Sequence, residues 1–167
     1  MAAVRRAVGR LAGCAVVAGF VLAGAVGCTS ESSGELALGS ATLPGGVQVG
    51  MVAVGEGDRI AAGYLVATAD GVADQLVDVT SPAAARVSLH RGDGAAMEAV
   101  EAFAVPAGGE LRLVPGGDHL MLEGLVAPLV PGEAVPLTLR FASGGTVEVT
   151  APVVALVDVL DVYDGGW

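Results

Sequence analysis

From residue 36 to residue 157 the chain is built of short stretches in which apolar and polar residues alternate, cut about every ten residues by Gly, Pro or Asp. Nowhere in that span do apolar residues recur at the three-to-four spacing of an amphipathic helix. A period of two buries one face of an extended strand and wets the other, so the chain must solve its burial problem with sheets. The clearest unit is "VPLTLRF", then "ASGG", then "TVEVTAPV", two alternating arms around a Gly-rich turn, which predicts a hairpin. "VQVGMVAV", "AAGYLVATA", "QLVDVT", "ARVSLH", "AVEAFAV", "ELRLV" and "HLMLEG" read as further strands. The expected fold class is all-β, an antiparallel sandwich or barrel.

The front of the chain has a different character. Arg5, Arg6 and Arg10 precede an apolar run from Leu11 to Val26, and small residues follow, the layout of an export signal. Sixteen residues is short for a membrane span. The run ends in "LAGAVGCTSESSG", which resembles a bacterial lipobox and implies an acylated Cys28 at the start of the mature protein. Ala25 stands where such boxes usually carry Leu, and the better-matching "LAGC" ending at Cys14 has almost no apolar segment before it. Ordinary cleavage nearby would instead leave a soluble secreted protein with one unpaired thiol. The expected organisation is a lipoprotein signal peptide over 1–27, a tether over 28–35, a β domain over 36–157 and an acidic tail over 158–167.

Without residues 1–27 the chain keeps 5 Arg against 18 acidic residues, a formal charge of −13. Nucleic acid and anionic lipid surfaces both require a basic face, so neither is an expected partner. With Cys28 acylated no thiol is left, which excludes disulfide staples, thiol redox chemistry and cysteine metal sites from the folded part.

Both histidines lie beside methionines. In "RVSLH" the period of two puts Arg86, Ser88 and His90 on one face and Val87 and Leu89 on the other, so His90 faces outward. Asp93-Gly94 suits a two-residue turn, which would set His90 directly opposite Met97, with Cβ atoms about 5 Å apart. In "HLMLEG", His119 and Met121 share one face, about 6.8 Å apart along the strand, while Leu120 and Leu122 share the other. An outward methionine beside a histidine is unusual, because methionine ordinarily fills core gaps. Two such pairs could converge on one site of two imidazoles and two thioethers. Thioethers favour Cu(I) and imidazole accepts copper readily, while neither donor is what hard cations or structural zinc prefer. Imidazole binds as the neutral base, so affinity should weaken below about pH 6.

Asp58 to Val154 resembles the PCuAC group of extracytoplasmic copper chaperones, whose motif runs His, ten residues, Met, twenty-one residues, His, one residue, Met. Met97 and His119 are separated by twenty-one residues and His119-Leu120-Met121 fits. "VPAGGELRLVPGGDHLMLEGLVAPLVPGEAVPLTL" is similar to the group's most recognisable stretch, and "AAGYLVATADGVADQLVDVTSPAAARVSLH" to its N-terminal half. Six residues, in place of ten, separate His90 from Met97; shortening each hairpin arm by two keeps both ligands on one face. The group's early Ala-Trp pair is absent. The resemblance implies a cupredoxin-like β fold, a Cu(I) site of His90, Met97, His119 and Met121, and a client in the dinuclear copper centre of cytochrome c oxidase.

Each residue also has a plainer reading. His90 alone would be a solvated side chain, Met121 alone a core residue, and Met51 lies in an apolar strand. Asp118 could orient His119 or simply serve the turn; Glu98 and Glu101 read as solvated. No nucleophile with a paired base appears, so an enzyme is not expected. The rival to a membrane-tethered metallochaperone is a metal-free β-sandwich lipoprotein acting as an envelope interaction module.

Overall fold

Alternation carries through to strands almost everywhere it was read. A computed structural model describes residues 39–43, 46–93 and 96–159. The signal segment, Cys28, the tether to residue 35, Gly94 and residues 160–167 lie outside the described residues, as does the side chain of Met51. Eleven strands are present among the described residues, and no helical element: β1 (Gly39–Thr42), β2 (Val47–Gly55), β3 (Ile60–Ala69), β4 (Asp74–Thr80), β5 (Ala84–Gly92), β6 (Met97–Val100), β7 (Phe103–Val105), β8 (Glu110–Leu113), β9 (His119–Leu125), β10 (Ala134–Phe141) and β11 (Thr146–Val154). No helix among the described residues is long and apolar enough to cross a membrane.

The strands form one continuous, nearly closed barrel-like sheet in the order β6-β5-β9-β3-β2-β11-β10-β4-β7, with β1 added on β2 and β8 on β3. The ladders are antiparallel except β2–β11, where Val54 and Gly55 pair in parallel with Val153 and Val154. β3 pairs with β2 and serves two further neighbours: Ile60–Gly63 pair with β9, and Leu65–Thr68 with β8. The closed side is filled by leucines, valines and two phenylalanines, with Leu89, Leu120 and Leu122 from one wall and Phe103, Leu137, Leu139 and Phe141 from the other. The predicted hairpin is β10–β11, in register from Ala134 opposite Pro152 to Arg140 opposite Thr146. Its turn needs a glycine at Gly144, where φ is 89°.

Three details differ from the sequence reading. "AVEAFAV" is not one strand: Met97–Val100 pairs with β5, whereas Phe103–Val105 pairs with β4 at the other end of the sheet order. The break lets Phe103 and Val105 enter the core from the opposite wall, where both are buried. β1 was not anticipated, since "GSAT" lacks the apolar alternation that marks a strand. Val159, placed in the acidic tail, is 1% exposed and packs with Ala53, Tyr64 and Val154 in a small second cluster on the outer face.

Leu139 is fully buried on β10, opposite Val79 and Val147, and its strand is not paired with either histidine-bearing strand. Leu139→Ala is expected to cost about 2–5 kcal/mol, read as a lower denaturant midpoint with an unchanged slope. A loss below about 1 kcal/mol would mean that the core is not packed as described.

Candidate metal centre

The β5–β9 ladder sorts side chains into two layers. On the inward side Leu89 stands opposite Leu120 and Val87 opposite Leu122; on the outward side His90 stands opposite His119, Ser88 opposite Met121 and Arg86 opposite Glu123. β3 continues the outward layer with Ala62 opposite Met121 and Ile60 opposite Glu123. The two imidazoles stack, with ring centroids 5.7 Å apart and planes inclined by 20°. The histidines are thus each other's direct cross-strand partners, a pairing the sequence reading did not contain.

Met97 sits differently from the expectation. Gly92 pairs with Met97 and His90 with Ala99, so four residues, in place of two, separate the innermost paired positions, and the expected direct opposition of His90 and Met97 is corrected. The wider loop is sustained by the carboxylate of Asp93, which accepts a hydrogen bond from the Ala96 amide at 2.9 Å. The register moves by two residues, so parity is kept and Met97 remains on the outward face. It is 63% exposed, two pairs nearer the turn than His90.

Met97, His119 and Met121 converge on one outward pocket of about 390 Å³, together with Gly92, Gly117 and Tyr64; His90 adjoins it through the stack on His119. The four expected ligands are therefore neighbours, and neither thioether lies in the core. Tyr64 was missed. It shares the outward face with Ala62 by the period of two, a signal that was available, and its burial pushes the phenol's pKa up.

Polar contacts set how the rings stand. Nδ1 of His119 donates to the carbonyl of Gly117 at 2.9 Å; since a carbonyl only accepts, Nε2 keeps its lone pair. Nε2 of His90 bonds the Ser88 hydroxyl at 3.0 Å, while its Nδ1 is buried with no partner. A buried unsatisfied polar atom costs about 1–3 kcal/mol, a cost that a bound Lewis acid would remove. Ser88 donates onward to Oε2 of Glu123 at 3.2 Å, and the same oxygen accepts from Nε of Arg86 at 2.9 Å and from its Nη2. The Arg86 hydrogen bond holds the Glu123 carboxyl below its ordinary range. A carboxylate shifted that way contributes stability above its unfolded pKa and loses it as pH falls through the lower folded value, so the chain of bonds is intact at neutral pH. Asp118 accepts from the Gly92 amide at 3.2 Å, which gives it a loop-tethering contact. Among the described residues no cluster of three or more His, Cys, Asp or Glu is present; the side chains at this pocket include an imidazole and two thioethers.

Gly92 links the parts. A Cβ built on it would lie 2.5 Å from the carbonyl oxygen of Gly117, the acceptor that orients His119. Gly92→Ala is expected to push that loop away, destabilising by about 1–3 kcal/mol and shifting the His119 ring resonances. Gly50→Ala, where no atom lies within 4 Å of the added methyl, is the control and should leave those resonances in place. Equal behaviour of the two variants would disprove the close approach.

Comparison with known proteins agrees with this fold. The copper-bound PCuAC domain from PmoF2 is 25% identical, with a TM-score of 0.60 over 70% of this chain and 97% of that one. CuI-DR1885 from Deinococcus radiodurans is 31% identical, with a TM-score of 0.54 over 74% of this chain and 84% of that one. The all-β, cupredoxin-like expectation holds. A Leifsonia xyli subsp. xyli (strain CTCB07) protein named "Putative lipoprotein Lxx21020" is 39% identical over 145 residues, covering 80% of this chain and 84% of its own length. Residues 40–153 match the family described as "Putative lipoprotein LpqE-like", and the chain belongs to that LpqE-like family.

Proposed function

We propose that this protein is a PCuAC-type copper metallochaperone of the cell envelope that carries Cu(I) on His90, Met97, His119 and Met121 and is not an enzyme. The observation that carries the reading is the convergence of two thioethers and a stacked imidazole pair on one open face, with a buried ring nitrogen lacking any protein partner. The likeness to a copper-bound domain and to a Cu(I)-bound protein supports the same ion. Two imidazoles and two thioethers form a neutral, soft set that favours Cu(I) over hard divalent ions. An exposed Met97 leaves the ion within reach of an incoming ligand, as a carrier requires. Acylation of Cys28 would tether the carrier to the membrane, in keeping with the lipoprotein naming of its relatives. By the PCuAC resemblance, the client is the dinuclear copper centre of cytochrome c oxidase.

Titration with Cu(I) under reducing conditions tests the reading. One equivalent is expected to bind, with X-ray absorption showing both sulfur and nitrogen ligands. A Met97→Ala, Met121→Ala double variant should lose at least about 100-fold in affinity, the upper end of what loss of a mere outer-shell partner costs. Absence of stoichiometric binding would favour the metal-free envelope module. Mass spectrometry of the mature protein tests the anchor separately: a diacylglyceryl mass is expected on Cys28 and none in Cys28→Ser.

A further inference from the structure

The hydroxyl of Ser88 has a single proton, and the neighbours of that hydroxyl decide where the proton goes. Glu123 is a carboxylate already bonded by Arg86, so it can only accept, and Ser88 donates to it. Toward His90 the same oxygen must therefore accept, which makes His90 Nε2 the N–H donor of the 3.0 Å contact. The neutral imidazole has one N–H, so the lone pair of His90 resides on Nδ1, the buried nitrogen without a partner. Counting the same way at His119 gives the opposite result: Nδ1 donates to Gly117 and the lone pair is on Nε2.

Resting on the copper reading above, we infer that Ser88 and Glu123 are positioning residues that lock His90 in the Nε2–H form, so that copper is taken by Nδ1 of His90 and Nε2 of His119. The two stacked rings are held as opposite tautomers before any ion arrives. Arg86 is the far anchor: it donates to the same Glu123 oxygen that accepts from Ser88 and keeps the carboxylate an acceptor. Register places the three together, since Arg86–Glu123 and Ser88–Met121 are successive cross-strand pairs next to His90–His119. An arrangement of this kind removes the tautomer penalty from binding, because each ring already offers the nitrogen that the ion requires.

The distinguishing variant is Glu123→Ala. With its acceptor gone, the Ser88 hydroxyl is free to donate to His90 Nε2, and the ring proton moves toward Nδ1, the nitrogen that copper needs. Long-range proton–nitrogen correlation spectra of the metal-free protein read this directly. In the native protein His90 should be protonated at Nε2 and His119 at Nδ1. Glu123→Ala and Ser88→Ala should each shift or mix the His90 tautomer while leaving His119 unchanged, and should lower Cu(I) affinity about 10- to 100-fold. Ser88→Thr, which keeps the hydroxyl, should restore both properties. Loss of an exposed ion pair threatens the fold little. Matching tautomers in the native protein, or a His90 tautomer unmoved by both alanine variants, would overturn the inference. Opposite tautomers in a protein that takes up no copper would leave the positioning chain standing and sink the copper reading, so the two failures are distinguishable.

Discussion

Pairing of β5 with β9 is the constraint on which the site depends, and buried leucines hold it. Leu89, Leu120 and Leu122 form the inward layer of that ladder, with Leu120 and Leu122 fully buried. Each such side chain is worth about 1.5–3 kcal/mol when removed from water. A one-residue slip would turn all three outward and cost a large share of a domain's total stability of about 5–15 kcal/mol. Stacking of an aromatic pair contributes only about 0.5–1.5 kcal/mol. The histidines therefore do not choose the register; the leucines do, and the imidazoles are placed face to face as a consequence.

Glycine governs the approach of the loops to this ladder. Gly92 leaves the outward layer empty opposite Met97, so the thioether overlooks the pocket with no side chain in the facing position. The same missing Cβ lets the Gly117 carbonyl come close, and that carbonyl fixes the His119 ring. Asp118 closes the arrangement from the other direction by accepting from the Gly92 amide. One small residue thus couples the β5–β6 hairpin to the loop before β9, and both carry residues of the site.

Which side chains face outward could be read from the sequence, because parity is a local property of alternation. Leu120 and Leu122 against His119 and Met121 is legible within four residues. Which strand lies beside which is not local: His90 and His119 are 29 positions apart, and no turn chemistry links them. That is why two His/Met pairs were expected where the structure shows a His–His pair flanked by methionines. The hairpin register was misjudged for a smaller reason. Asp93-Gly94 is a good two-residue turn, but the Asp93 side chain can also close a four-residue loop, and a dipeptide alone does not discriminate between the two. Ser88 and Glu123 were visible as same-face neighbours of the ligands at steps of two, and Tyr64 only as a same-face neighbour of Ala62, yet a serine, a glutamate and a tyrosine on strands have no signature until their partners are known.

On the proposed reading, the restraints on the four ligands are unequal, and this bears on release of the ion. Both imidazoles form the end pair of the β5–β9 ladder and each is tied at one nitrogen, to Ser88 or to Gly117. Met121 lies in the same ladder and is half-buried. Met97 opens an edge strand, faces a glycine and is mostly exposed, and a thioether has three rotatable bonds before its sulfur. Displacing it costs the least packing and breaks no side-chain hydrogen bond. An incoming sulfur or nitrogen donor would therefore replace Met97 first, entering from the β5–β6 side, while the preset ring nitrogens hold the ion until the exchange is complete.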